Sequence, residues 1–327
     1  MPEYTHTCRA RNMIRSEVSA IPSFTEGDLR LLGIFRAVAE AGGLTAAETK
    51  LRMERSTISR HIQSLEARLG ARLCHRGPSG FELTEFGRVA LRASIAACDT
   101  LEAVRNELNF ARNVIVGEVR VGIADNCITN PQTRLVPAIR QFRSLAPDVT
   151  LDVRVRPPRE LLDDLLSRHI HIGITGAPVG DSHFEYEELF IEEFRLYAGP
   201  MEGEEELDLK DVAAGKASLI VREQDRHSLA LAKRLGVEHT AVASGLESVA
   251  TLLASGGYAA FLPTHYVAGL PRLSAFREVK GATELIYRAP FSVVIERSRS
   301  PSPAVALFRK QLLNCHQEAS ITLACSA

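Results

Sequence analysis

The chain has 327 residues, 45% of them hydrophobic and 24% charged, which fits about two globular domains and excludes a disordered, collagen-like or rod-like chain. Thirty-nine basic residues against 40 acidic ones leave a net charge of −1, so a uniformly basic nucleic-acid coat is excluded. The charge is unevenly placed, however. Asp28–Arg92 holds eleven basic and seven acidic residues, while positions 93–327 carry −5. A basic module on an acidic body fits local contact with a polyanion.

Residues 1–27 contain Arg9, Arg11, Arg15, Glu17 and Glu26 and no apolar run, so no secretory leader is read there and a cytoplasmic protein is expected. This segment is expected to be a flexible extension, and Met13 could itself be a start. The longest stretch free of Asp, Glu, Lys and Arg, Ser248–Pro271, is broken by Ser255-Gly256-Gly257, Pro263 and His265. It reads as helix, turn and strand, and no membrane contact is expected. Six cysteines are scattered with no Cys-x-x-Cys pair, so reduced thiols and no metal site are expected.

Asp28 reads as the N-cap of a helix whose apolar positions Leu29, Leu32, Phe35, Val38 and Ala39 keep helical spacing. Gly42-Gly43 ends it. Thr45-Ala-Ala-Glu48 has the pattern of a capping box and opens a short second helix to about Leu51. A turn through Arg52–Glu54 leads to a third helix in which Ile58, Ile62, Leu65 and Leu69 form one buried stripe. Ser56, Ser59, Arg60 and Gln63 fall on the opposite side, where hydroxyls, an amide and a guanidinium can read base edges in a major groove. Arg72–Arg76, a turn at 77–80 and Phe81–Thr84 read as a β-hairpin. A hairpin after three helices makes a winged helix-turn-helix, with Arg72, His75 and Arg76 placed to meet phosphates. Thr45, Arg55 and Thr57 complete the candidate DNA contacts.

Residues 28–87 resemble the DNA-binding head of LysR-type transcriptional regulators. The resemblance is carried by Phe35, Ala37–Ala39, Leu44-Thr45-Ala46-Ala47, Leu51, Ser56, Ser59, Ile62, Leu65-Glu66, Leu69-Gly70, Leu73, Arg76, Leu83-Thr84 and Gly87. Two features depart from the family: Glu54-Arg55 stands where it commonly has a Ser or Thr cap followed by Gln, and Cys74 where it usually has Phe. The first puts a carboxylate and a guanidinium at the tip that approaches DNA.

From Thr84 as N-cap to about Arg112 the chain reads as one long helix with Leu91, Ile95, Cys98, Leu101, Val104 and Leu108 on a stripe that needs a partner helix. The resemblance supplies that partner. The linker, residues 88–113, would pair two heads in a homodimer on a roughly two-fold symmetric operator in double-stranded DNA, and further contacts would make a homotetramer. Beyond Gly117, strands are expected at 118–123, 149–155, 170–174, 217–222, 239–243, 258–262 and about 285–295. Helices are expected at 131–145, 159–168, 227–235, 246–254 and 302–314. The alternation argues an α/β body with mostly parallel sheets.

The resemblance continues here. It implies a two-lobed effector domain, like a periplasmic solute-binding protein, over 117–315, followed by a tail at 316–327. The first lobe would take 117–195 and 268–315, and the second 196–267, with hinges near Phe194–Gly199 and Leu262–Ala268. Ligands in such folds bind between lobes, at strand ends and helix starts. Candidate effector contacts are Asn126, Cys127, Ile128 and Thr129 on the first lobe, Arg156 past a strand end, and Pro178, Ser244 and Gly245 on comparable loops. Family members often hold small anions there; Asp125 would oppose one and Arg156 would favour one. His171 stands where the family frequently has Asp and reads as a structural residue.

The expected protein is a sequence-specific DNA-binding regulator controlled by a small-molecule effector, without a cofactor. An alternative is a redox sensor through Cys127, whose thiol beside a helix start could have a lowered pKa. A solute-binding protein would share the body but leaves the winged head unexplained. Catalysis is not expected, because no nucleophile elbow, P-loop or metal-ligand spacing is present.

Overall fold

Thr25, not Asp28, caps the first helix α1 (Glu26–Glu40). Asp28 sits one turn inside, where its Oδ2 accepts both the Thr25 N–H and the Thr25 hydroxyl at 2.7 Å. The computed structural model describes residues 20–77, 80–176, 180–200, 206–223, 225–237, 241–269 and 275–324. The residues 1–19 of the expected flexible extension, the candidate contact Pro178 and the first part of the strand expected at 239–243 lie outside that set. The chain forms two units that divide between Val104 and Arg105.

In the first unit α2 (Leu44–Leu51) begins on Gly43, so the capping box expected at Thr45 and Glu48 is not formed. Glu48 is used one element later: its Oε1 accepts from the Arg55 N–H at 2.7 Å and closes the start of α3 (Arg55–Leu69). Ile58, Ile62 and Leu65 are fully buried with Phe35, Val38 and Leu73. The wing pairs β1 (Cys74–Gly77) with β2 (Gly80–Leu83) antiparallel. Thr84 then caps the long α4 (Glu85–Phe110), its Oγ1 accepting from the Gly87 N–H at 2.8 Å and donating to the Arg72 carbonyl at 2.7 Å. One hydroxyl thus joins wing to helix.

In the second unit, β3 (Gly117–Ile123), β4 (Val149–Val155), β5 (Ile172–Thr175), β6 (Phe184–Ala198), β7 (Ser218–Arg222), β8 (Ala241–Ala243), β9 (Tyr258–Pro263), β10 (Arg277–Glu278) and β11 (Tyr287–Glu296) form one sheet in the order β4-β3-β5-β11-β6-β9-β7-β8, with β10 on β6. Its helices are α5 (Leu135–Leu145), α6 (Pro158–Leu166), α7 (Leu209–Ala213), α8 (Arg226–Leu235), α9 (Leu246–Ala254), α10 (Thr264–Gly269) and α11 (Pro303–Ala324). The expected parallel pairing holds within each lobe, between β3 and its neighbours β4 and β5, and between β7 and its neighbours β8 and β9. The middle of the sheet is antiparallel, which corrects the expectation of a mostly parallel sheet. The reason is topological. β6 carries the chain out of the first lobe, β11 brings it back, and the two run side by side in opposite directions.

Packing also corrects the lobe boundaries. Phe276, Val279 and Ala282, expected with the first lobe, belong to the core of the second with Leu196, Leu219, Ile220, Leu246 and Phe261. The chain returns to the first lobe along β11, so the crossing strands are β6 and β11, and Leu262–Ala268 is not a crossing. The first-lobe core joins Val119, Val121, Phe142, Ile172 and Ile174 to Val293, Phe308 and Leu312. Phe142 and Phe308 meet edge-on, with centroids 5.3 Å apart at 81°, a geometry that contributes about 0.5–1.5 kcal/mol beyond its buried area.

Candidate functional sites

The outer face of α3 is the first candidate. Burial of its apolar stripe leaves Arg55, Ser56, Arg60 and Gln63 exposed, with Thr57 and Ser59 half-buried, and Thr45 is exposed on the first turn of α2. Several cations of this unit are engaged by acids. Arg36 and Lys50 meet Glu40 at 2.6 and 2.7 Å, and Arg68 meets Asp28 at 3.1 Å. Among the described residues no ion pair engages Arg55, Arg60 or Arg72, and all three are exposed. Arg72 and His75 are exposed at the wing, and Arg76 follows on β1 opposite Phe81. The Glu66 carboxylate accepts from the Leu73 N–H at 2.9 Å and fixes the strand that carries them.

The second candidate is the loop after β3. Asn126 takes a left-handed backbone (φ 59°), and Cys127–Thr129 forms a short helical turn. Cys127 is buried, its Sγ donating to the Ala124 carbonyl at 3.2 Å. Burial, then the Glu192 and Asp125 carboxylates, pushes this thiol up to about 12. The lowered pKa considered for a redox sensor is therefore reversed, because a three-residue turn offers little dipole and two acids face the sulfur. Ile128 is 78% exposed. Ser244 and Gly245 are brought to this loop: the Asp125 Oδ2 accepts from the Leu246 N–H at 2.8 Å, across the two lobes. Arg156 is not brought to it. Its guanidinium is turned to Asp164 on α6, 3.5 Å away.

His171 is structural, as expected. Its Nδ1 accepts from the Arg120 N–H at 3.0 Å. Burial first, then Arg299 and Arg120, depresses its pKa to about 2, so the ring stays neutral.

Two residues escaped the sequence reading. Glu192 on β6 is only 6% exposed, and its Oε1 lies 2.7 Å from the Nε2 of His265, the second residue of α10. The Nδ1 of His265 meets the Thr129 Oγ1 at 3.1 Å, and Asn130 donates to Glu192 at 3.3 Å. Beside them opens a pocket of about 410 Å³ between Gln132, Ile191, Thr264 and Arg288. A signal existed in the sequence: Glu192 interrupts the alternating series Phe190, Phe194, Leu196, at an inward position. A register shift opposite Phe291 and Ser292 hides the same alternation further upstream. On the second lobe Arg222 stands over the Phe194 ring, which stacks on Tyr287 at 4.7 Å, and His227 stacks on Tyr287 at 3.7 Å. Among the described residues, the buried polar atoms without a protein partner include Asn126 Nδ2 and Thr175 Oγ1, just past β3 and at the end of its neighbour β5, and Tyr287 Oη further along β11. Such atoms are rare unless something else satisfies them.

The chain matches two family models, the bacterial regulatory helix-turn-helix protein of the lysR family over residues 29–88 and the LysR substrate binding domain over 112–315. It is 30% identical over 299 residues to the HTH-type transcriptional activator BauR of Pseudomonas aeruginosa, covering 90% of this chain and 98% of that one. It is 35% identical over 144 residues to the SDS degradation transcriptional activation protein of a Pseudomonas species, covering 42% of this chain and 46% of that one. Among solved structures, CbnR, a LysR family transcriptional regulator, aligns with a TM-score of 0.59 at 24% identity over 88% of this chain and 99% of its own. Full-length OxyR from Pseudomonas aeruginosa aligns with a TM-score of 0.63 at 18% identity, covering 89% and 95%. These two likenesses speak for the fold. With its body and its head both matched, and a curated relative aligned almost end to end, the chain belongs to the LysR family of transcriptional regulators.

Proposed function

We propose that this regulator reads its operator with the exposed face of α3 and answers to a small molecule held between the lobes of its body. Ser56, Ser59, Arg60 and Gln63 would meet base edges, helped by Thr45, Arg55 and Thr57 at the tip. Arg72, His75 and Arg76 would hold phosphates on either side of the groove. The observation that carries this reading is the division of α3: one face is buried in the head, and the other is polar, with Arg60 and Gln63 exposed and no ion pair on Arg60 among the described residues. Glu54-Arg55 at the tip sets its base preference apart from the family's usual one.

For the effector, the support is Asn126 Nδ2 and Thr175 Oγ1, unpaired buried atoms at the ends of the adjacent strands β3 and β5, which a polar ligand would satisfy. Ser244, Gly245, Ile128 and Thr129 would border it; Pro178 stays a candidate from the sequence, while Arg156 is spent on Asp164. The protein acts on DNA and so works in the cytoplasm, and among the described residues no helix is long and apolar enough to cross a membrane. It is read as a regulator and not as an enzyme. Thr129, His265 and Glu192 stand in hydroxyl–imidazole–carboxylate order, but the Thr129 hydroxyl is shared between the His265 ring at 3.1 Å and the Asn126 carbonyl at 3.0 Å, and the three are read as a tie between loop and helix.

Genomic footprinting supplies the operator, and two variants test the reading. Arg60→Ala should weaken operator binding by about 1–3 kcal/mol while leaving random DNA nearly unchanged. Arg72→Ala should weaken both alike and flatten the salt dependence. Equal losses on operator and random DNA for Arg60→Ala would remove the base-reading role.

A further inference from the structure

Helix α9 starts on Gly245, a cap without a side chain. The first-turn amides of a helix have no partner inside it, and Ser, Thr, Asp and Asn lead at the cap because they bring an acceptor. Here the acceptor comes from the other lobe. The Asp125 Oδ2 takes the Leu246 N–H at 2.8 Å, bridging 121 positions of sequence. Gly245 is the counterpart of that contact, since a Cβ there would stand 3.0 Å from the same oxygen. The far end of the loop is tied as well, Thr129 to His265 at 3.1 Å and His265 to Glu192 at 2.7 Å. α10 also lies close over it, so that a Cβ on Gly269 would meet the Thr129 Cβ at 3.4 Å. The second lobe therefore holds loop 125–129 at both ends.

A helix N-terminus attracts negative charge through its open amides and its dipole. We infer that Asp125 is an internal ligand of the second lobe: its carboxylate fills the anion position at the start of α9, draws the lobes together across loop 125–129, and denies that position to a carboxylate of the effector. The inference concerns the cleft assigned above to the effector and rests on that assignment for its bearing on specificity. Asp125 is a specificity-determining residue in this sense. A small residue in its place would open the α9 start to an anion from solution.

Acetate rescue in the full-length protein tests this. Amide hydrogen exchange, read by mass spectrometry over 244–254, should be at least about tenfold faster in the first turn of α9 in Asp125→Ala than in the parent. Sodium acetate should restore the protection in the variant, and sodium chloride of equal ionic strength should not. Exchange over α5 reports whether the first lobe stays folded. If Asp125→Ala fails to fold, Asp125→Asn keeps the shape and should still raise exchange at α9 severalfold. Exchange at α9 equal to the parent in the variant that folds, or acetate acting no differently from chloride, would overturn the proposal. The measurement needs no effector, so its failure leaves the effector assignment standing, and failure of that assignment leaves the latch to be judged by exchange alone.

Discussion

Asp28 is spent three ways within one small helical head. It accepts from the Thr25 amide and hydroxyl at the start of α1, and it receives the Arg68 guanidinium from α3 at 3.1 Å. The Thr25 hydroxyl first, then the Thr25 amide and Arg68, hold its carboxyl below the ordinary value of 3.8. A carboxyl whose pKa is lowered by folding contributes stability that is present above the unfolded value and fades as pH falls through the folded one. Asp28→Asn should therefore lower the melting temperature at neutral pH, and the difference from the parent should shrink below about pH 4. Circular dichroism melts across pH 2–7 check it; a difference that stays constant with pH would detach the charge from the effect. Elsewhere the residue scale corrects the reading of Cys127 and agrees with that of His171. Cys127 and His171 are polar letters that behave as packed, uncharged side chains, because burial disfavours the charged form and their charged neighbours push the same way, carboxylates beside the thiol and guanidinium groups beside the imidazole.

At the scale of elements, the wing and the linker helix are joined at one close approach. A Cβ on Gly87 would stand 1.9 Å from the Leu73 carbonyl oxygen, and backbone cannot yield there as a side-chain tip can. Gly87→Ala should destabilise the head by about 1–3 kcal/mol, the usual range for overpacking, measured by urea unfolding. Along the same helix the apolar stripe changes character. Ile95 is 3% exposed, whereas Leu101, Val104 and Leu108 are 53%, 55% and 66% exposed in the single chain. A helix face of that kind needs cover from another chain. Leu101→Asp with Leu108→Asp would place unpaired charge on the covered face and should convert the dimer to monomer by light scattering at micromolar concentration; an unchanged dimer would place the contact elsewhere.

For the whole molecule, the two ends of the nine-stranded sheet matter most. β4 and β8 are its edges, and Val153, Val155 and Val242 stand exposed on them. Open edges with apolar side chains invite pairing with another chain, the seven-residue β4 more than the three-residue β8. If these edges join linker-paired chains into a larger assembly, Val155→Asp with Val242→Asp should remove that assembly while leaving the linker pairing intact, again by light scattering; a size unchanged by the substitutions would exclude these edges from assembly.

The winged head was legible in the sequence because it is built from local rules: the helical spacing of Ile58, Ile62, Leu65 and Leu69, the turn at the wing and the Thr84 cap each act within a few residues. The alternation of strands and helices in the body was legible for the same reason. The caps of α1 and α2 were misassigned because several acids and hydroxyls compete for each helix start, and only packing chooses Thr25 over Asp28 and sends Glu48 to Arg55. Tertiary structure alone decided where the lobes divide, since β6 and β11 are paired across about a hundred residues and their burial follows the partner strand. It also alone decided the site. Asp125 reaches Leu246, and Thr129 reaches Glu192 through His265, across separations at which no periodicity survives and only the folded sheet sets the distance.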